Sequence, residues 1–493
     1  MSDSRVPGDE GEAVRALEPD AATLRAWLAA VAERIVRHVD SLSDQPAGYD
    51  ADSIPSWEGH THFPATATPL PALLDRVFDV AAPASFNTAG PGYMAYIPGG
   101  GLVQSAIADL IASAINRYVG VWVAAPLLAS MEIEALTWMR SLMGLPETAR
   151  GLLTSGGSLA NLTAVVTARH HCLGESFDSG VLYVSDQAHH SVRKAATLAG
   201  FPRRAVVTVP TDGEWKLRPE ALRRQVAVDR DAGRRPFMVV ASAGTTNTGA
   251  VDPLLEIAEI CAEKNLWLHV DAAYGGFFRL TRAGQKLLAG TEQADSITLD
   301  PHKGLFLPYG TGALLVRDGA VLQAAHELSA DYMPAFQDAE PRGAYDFCAH
   351  GPELSRDFRG LRVWLPIQMH GIGPFVDCLD EKLDLTRHAA RRLEGMDGIE
   401  IVAWPQLTVV AFRLVRPGAD ANDLDRLNAR LLARVLASRK VWLTSTRLDG
   451  RVVLRICVLS FRTHRDRVET CLDLIEREVN ALLDEPLDAG DVS

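Results

Sequence analysis

Between residues 151 and 316, short apolar runs rich in β-branched residues alternate with helix-like segments. The runs are Val181-Leu182-Tyr183-Val184, Ala205-Val206-Val207-Thr208-Val209, Phe237-Met238-Val239-Val240, Leu266-Trp267-Leu268-His269-Val270 and Gly312-Ala313-Leu314-Leu315-Val316. Unbroken apolar runs of this length suit strands buried on both faces, and the intervening segments are long enough for crossover helices. The pattern predicts an α/β fold with a largely parallel sheet covered by helices on both sides. In that architecture ligands bind beyond the carboxyl ends of the strands.

Two reactive groups fall at such ends. Asp271 closes the run Leu268-His269-Val270, and Lys303 follows Ile297-Thr298-Leu299 within Asp300-Pro301-His302-Lys303-Gly304. Upstream, Thr154-Ser155-Gly156-Gly157-Ser158 opens a helix through Leu159-Ala160-Asn161-Leu162. Glycines let the backbone approach an anion, and the free N–H groups of a helix start favour phosphate. An amine, a carboxylate and a phosphate cradle together are what pyridoxal 5'-phosphate (PLP) requires. The lysine holds the aldehyde as a Schiff base, and the carboxylate keeps the pyridine nitrogen protonated so that the ring accepts electrons. Each element alone is generic, since a glycine turn joins many strands to helices and most lysines are merely solvated; the combination carries the reading. Lys303 must lose a proton to act as a nucleophile, and burial beside the cofactor is expected to lower its pKa.

Other groups cluster near the same strand ends. In Asp186-Gln187-Ala188-His189-His190-Ser191 a histidine could stack on the ring or meet the substrate carboxylate, although a polar helix cap reads the same way. Two adjacent histidines cannot both face one pocket, so His189 is favoured and His190 is placed outside it. Gly244-Thr245-Thr246-Asn247-Thr248-Gly249 suits a loop passing close to the ring, or a plain turn, and His302 could donate to the phosphate. His60 and His62 lack an evident third ligand, so no metal site is expected. The sequon Asn161-Leu162-Thr163 is read as chance.

At 493 residues the chain needs more than one domain. Leu24, Trp27, Leu28, Val31, Ile35 and Val39 recur at helical spacing, and prolines 46, 55, 64, 69 and 71 follow, which reads as an arm wrapping over a partner. A helical stretch over 361–385 leads to a C-terminal part with strands at 408–412 and 452–456 and a helix over 466–483. The expected boundaries are 1–95 for the arm, 96–375 for the large domain and 376–493 for the small one. A net charge of -13 with no basic stripe argues against nucleic-acid and membrane partners. The apolar stretch 102–115, broken by Gln104 and Asp109, is too short to cross a bilayer, and residues 1–20 lack the apolar core of a signal peptide. Six scattered cysteines favour free thiols. A cytoplasmic enzyme is expected.

In its blocks 151–162, 185–192, 244–252, 267–275, 300–303, 356–364 (Arg-Asp-Phe-Arg-Gly-Leu-Arg-Val-Trp) and 454–462, the chain resembles the group II PLP-dependent amino-acid decarboxylases, which act on aromatic amino acids and glutamate. The resemblance covers most of the chain beyond about residue 90. It implies PLP fold type I: an N-terminal helical arm, a large domain with a mostly parallel sheet of the seven-stranded type, and a small α+β C-terminal domain, paired as a homodimer with active sites at the interface. By the same resemblance Lys303 forms the Schiff base, Asp271 partners the pyridine nitrogen and His189 stacks on the ring. Ala273 packs on the other ring face and Thr246 sits nearby, while Gly157, Ser158, Asp300 and His302 surround the phosphate. The implied reaction is decarboxylation of an L-amino acid, aromatic or bulky rather than acidic, to the amine and CO2. Two departures bear on it. Aromatic decarboxylases carry a tyrosine on a mobile loop that returns a proton; counting back from Arg356 puts Phe347 there, with Tyr345 or Tyr332 as alternative hydroxyls. Phenylalanine at that position diverts some relatives to an aldehyde. The segment Tyr96-Ile97-Pro98-Gly99-Gly100-Gly101 has glycine where those enzymes carry a threonine, so acidic substrates such as glutamate stay open. Tyr96 and Trp122 would suit an aromatic substrate, or a core.

Overall fold

The strongest apolar runs form the centre of a seven-stranded sheet in a computed structural model that describes residues 17–55, 66–327 and 345–485. Its strands are β1 (Arg150–Thr154), β2 (Gly180–Ser185), β3 (Val206–Val209), β4 (Arg235–Ser242), β5 (Trp267–Ala272), β6 (Ser296–Leu299) and β7 (Gly312–Val316). They lie in the order β1-β7-β6-β5-β4-β2-β3. The pairs β2/β3, β2/β4, β4/β5 and β5/β6 are parallel, whereas β7 runs against both its neighbours β6 and β1. The helices Gly157–Leu173, Pro219–Asp231 and Leu254–Lys264 pack on the sheet and close one large apolar core. The fold is PLP fold type I, as the sequence predicts.

A second, antiparallel sheet has the order β10-β11-β9-β8, built from β8 (Ile399–Ala403), β9 (Val409–Leu414), β10 (Thr444–Leu448) and β11 (Arg451–Cys457). Helices Gly373–Glu394, Ala421–Ala437 and Arg465–Asp484 cover it around a separate core. The sequence signals β9 and β11, which are largely buried, but not β8 or β10, whose half-exposed residues leave a weak apolar pattern. The predicted single helical stretch at 361–385 is two helices, Gly360–His370 and Gly373–Glu394, parted at Gly371, which takes the left-handed φ of 68°. The second helix straddles the two cores: Phe375, Leu379 and Leu383 belong to the large one, Leu385, Ala389 and Leu393 to the small one.

The helix Ala21–Asp40 starts where the sequence places it, its first turn capped by Asp20, whose carboxylate accepts from the Thr23 N–H at 2.7 Å. None of its side chains is buried. Among the described residues no helix is long and apolar enough to cross a membrane, and no three His, Cys, Asp or Glu side chains gather as metal ligands. All six cysteines are free. His60, His62 and Tyr332 lie outside the described residues.

The topology brings three chain ends to one edge. Because β7 reverses between β6 and β1, β1 points the same way as β5 and β6, so the glycine turn after β1, Asp271 at the end of β5 and the Pro301–Gly304 turn after β6 emerge together. Gly99 backs that last turn: a Cβ there would stand 2.1 Å from the His302 carbonyl oxygen. Gly99→Ala must therefore push the turn that carries Lys303. We expect a stability loss of roughly 1–3 kcal/mol, typical of overpacking, read by thermal denaturation, together with weaker PLP uptake. Wild-type values for both would show that the turn has slack.

Candidate active site

A cavity of about 260 Å³ opens at this edge, and Gly157, Ser158, His189, Thr246, Asp271, Ala273, Asp300, His302 and Lys303 all line it. Every residue expected to bind the cofactor is thus at one site. Lys303 Nζ lies 2.9 Å from Asp300 Oδ2. Burial pulls the Lys303 ammonium down, but the attraction and hydrogen bond of Asp300, with Asp271 behind, outweigh it and raise the pKa above the ordinary lysine value. This corrects the expectation from burial alone: without cofactor the lysine is a held ammonium.

Asp271 is buried at the end of β5. One carboxylate oxygen accepts from Asn161 Nδ2 at 2.9 Å and the other from the Ala273 N–H at 3.2 Å. His189 caps the helix His190–Leu198, its Nδ1 accepting from the Ser191 N–H and facing Ser191 Oγ at 2.7 Å. Burial pushes its imidazole below the ordinary value although Asp271 pulls the other way, so His189 is neutral near pH 7. His190 is exposed, as expected.

The turn after β1 is one that only glycine fits. Gly156 adopts φ 151°, and a Cβ on Gly157 would meet Asp300 Oδ2 at 3.0 Å. The start of the helix Gly157–Leu173 opens onto the same space. His302 donates from Nδ1 to the Thr311 carbonyl at 2.7 Å, so its Nε2 carries a proton only as imidazolium. The other oxygen of buried Asp300, Oδ1, has no partner among the described residues. A buried carboxylate oxygen left single beside an amine and a glycine cradle fits a cavity shaped for a further polar group.

The family model for the pyridoxal-dependent decarboxylase conserved domain matches residues 58–415. The chain belongs to this decarboxylase family. It is 36% identical over 376 residues to an aromatic-L-amino-acid decarboxylase of Bacillus atrophaeus, covering 76% of this chain and 78% of the relative. An L-2,4-diaminobutyrate decarboxylase of Rhizobium meliloti is 32% identical, with 93% of each chain covered. The solved structure of Oryza sativa TDC with PLP and tryptamine superposes with a TM-score of 0.88 at 26% identity, covering 95% of this chain and 99% of the other. This decarboxylase is accordingly a PLP-dependent carboxy-lyase acting on an amino acid.

Four residues expected near the decarboxylase's substrate do not line the cavity of their own chain. Tyr345 is buried with its hydroxyl donating to the Gly151 carbonyl at 2.8 Å and its ring 3.9 Å from that of His350. Burial also raises its pKa well above the usual phenol range. In this chain it is committed to the back of β1, where it packs and does not reach the cavity. Phe347 is equally buried, with Arg356 stacked 4.5 Å over its ring. Trp122 is half-buried, its backbone N–H donating to Asp346 Oδ1 at 2.6 Å. Tyr96 is 58% exposed at a left-handed φ of 54°.

Sequence reasoning missed Asn161, Ser191 and Thr245, of which Asn161 and Ser191 are buried partners of Asp271 and His189. The signal was available: Asn161 stands four residues after Gly157, on the same helix face.

Proposed function

We propose that this decarboxylase converts an L-amino acid with an aromatic or bulky side chain to its amine and CO2, with Lys303, Asp271 and His189 as its working groups. The observation that carries the reading is that Lys303 and Asp271 share one cavity beside a glycine cradle. The likeness to the Bacillus aromatic-L-amino-acid decarboxylase supports the side-chain class. When bound, PLP supplies a sink for the electron pair left as the carboxylate departs. Gly157, Ser158 and His302 would hold its phosphate, and Lys303 its aldehyde. Asp271 holds a proton at the ring nitrogen, and neutral His189, with its remaining proton on Nε2, offers a flat face without repelling a charged ring. The walls orient the breaking bond and exclude water. Incubation of the PLP-loaded protein with tryptophan, tyrosine, phenylalanine, 2,4-diaminobutyrate and glutamate, followed by assay of CO2 and amine, tests it. Release only from glutamate or diaminobutyrate would overturn the side-chain class, and release from none would overturn the reading.

A second outcome has its own observation: Phe347 bears no hydroxyl, and that of Tyr345 is spent on Gly151. With neither residue to return the proton, dioxygen can take the electrons instead; Tyr332 lies outside the described residues. One amino acid, one O2 and one water then give one aldehyde, CO2, ammonia and hydrogen peroxide. Phe347→Tyr is expected to move product at least several-fold from aldehyde toward amine. If the wild type yields no peroxide, this branch is closed.

The decarboxylase also works as a homodimer in the cytoplasm on this reading. Leu24, Trp27, Leu28 and Ile35 lie on one face of the Ala21–Asp40 helix and are 38–45% exposed, a stripe of the kind that marks an interface. Leu28→Asp combined with Trp27→Asp is expected to shift the sedimenting species to monomer and to make activity fall on dilution. A variant that sediments like the wild type would remove the arm from the interface.

A further inference from the structure

Behind the cavity lies a run of buried hydrogen bonds whose directions can be worked out from one end. The Trp267 indole only donates, and it donates to Ser296 Oγ at 2.8 Å. The Ser296 hydroxyl is then free to donate to His269 Nδ1 at 2.8 Å, which leaves the His269 proton on Nε2, facing Asn161 Oδ1 at 3.0 Å. Burial lowers the pKa of His269, keeping it in this neutral form. Thr298 donates to the same amide oxygen at 2.7 Å. With its oxygen fixed by two donors, the amide turns its NH2 the other way, to Asp271 Oδ2 and Ser191 Oγ, both at 2.9 Å. The Ser191 hydroxyl in turn donates to His189 Nδ1 at 2.7 Å. Asn161, Ser191, His269, Ser296 and Thr298 are all at most 2% exposed, so breaking any of these bonds leaves a buried polar group that is costly to strand.

We propose that Asn161 is a positioning residue that sets Asp271 and His189 together through its one amide group. It aims the carboxylate with one hydrogen and, with the other, holds the Ser191 hydroxyl that joins the Ser191 N–H in keeping the histidine as the Nε2–H tautomer. The inference rests on the PLP reading above and adds to it a shared support for the ring-nitrogen partner and the ring-face residue. A buried amide satisfied only for packing would set the stability of the fold and nothing else. One that aims Asp271 also sets how tightly that carboxylate keeps a proton at the cofactor nitrogen.

The substitution Asn161→Asp keeps the shape, removes both donors and faces Asp271 with a second acid. In it we expect PLP to bind at least about tenfold more weakly by equilibrium dialysis, the pH dependence of the bound cofactor's visible absorption to move, and kcat to fall about 10–100-fold with KM for the amino acid nearly unchanged. Wild-type affinity, spectrum and pH profile in a folded Asn161→Asp protein would overturn the proposal, as would a loss of thermal stability with no change in those three. Should that variant not fold, Ser191→Ala decides. It removes the hydroxyl between Asn161 and His189 and leaves the Ser191 N–H on Nδ1, and the proposal requires a shifted pH profile of kcat with Asp271-dependent PLP binding kept; an unshifted profile overturns it. Wild-type protein assayed alongside separates the cases, since failure of the wild type to take up PLP defeats the parent reading and not this one.

Discussion

Alanine at position 303 removes at least about three orders of magnitude from turnover, the loss expected when a covalent catalyst is deleted, while arginine at that position does the same at a smaller cost in stability. The two variants separate the roles of Lys303. Its ammonium neutralises Asp300 at 2.9 Å, so alanine leaves a buried carboxylate with only His302 Nε2, 3.7 Å from Oδ2, nearby, Oδ1 being already without a partner among the described residues. That costs on the order of 1–3 kcal/mol in the cofactor-free protein. Arginine restores the charge but cannot form the covalent link. Decarboxylation rates with saturating PLP and thermal denaturation without it, for both variants, check this. A Lys303→Arg protein retaining more than a few per cent of the rate would mean that the lysine serves only as a counter-ion. The raised pKa of Lys303 adds a sign: its ion pair stabilises the cofactor-free fold fully below the unfolded lysine value, and that contribution fades as pH climbs through the higher folded one.

Asp271→Asn is expected to cut kcat by about 10²–10³-fold, the usual cost of losing one preorganised electrostatic partner of developing charge. The change is isosteric, and KM should move little. The carboxylate is buried and fed by two donors, Asn161 and the Ala273 N–H. An asparagine in its place would have to turn an NH2 toward one of them. Asp271→Glu should fall between, because the longer arm reaches past both donors. Steady-state kinetics at saturating PLP decide it, and a kcat within threefold of wild type for Asp271→Asn would remove the electron-sink assignment.

Much of the fold and of the cofactor pocket was legible because both are written in punctuation. Strand ends in a parallel sheet are abrupt changes from apolar runs to Gly, Asp, His and Lys, and Asp271, Lys303 and Gly157 sit at such changes. What was not legible came from across the sheet. Asn161, His269 and Thr298 are far apart in sequence and meet only because β5 and β6 lie side by side under one helix. A polar residue inside an apolar run reads as noise until its partner is known. The rise in the Lys303 pKa turned on Asp300, three residues away and in plain view, where the burial argument stopped at desolvation. Tyr345 failed for another reason: counting along a motif gives chain position, and the Gly151 carbonyl claims the hydroxyl in space. The polar strand β10 shows the limit of hydropathy, since an edge strand can be half wet.

The reversal of β7 between β6 and β1 has a consequence for how the protein is made. The glycine turn near residue 156 and the amine at 303 become neighbours only after β7, ending at Val316, has threaded between their strands. A ribosome-bound chain or a refolding intermediate that has assembled the earlier strands still has no place to capture vitamin B6. Long-range closure of this kind is slow, so the pocket for the coenzyme is complete only once β7 has taken its place in the sheet.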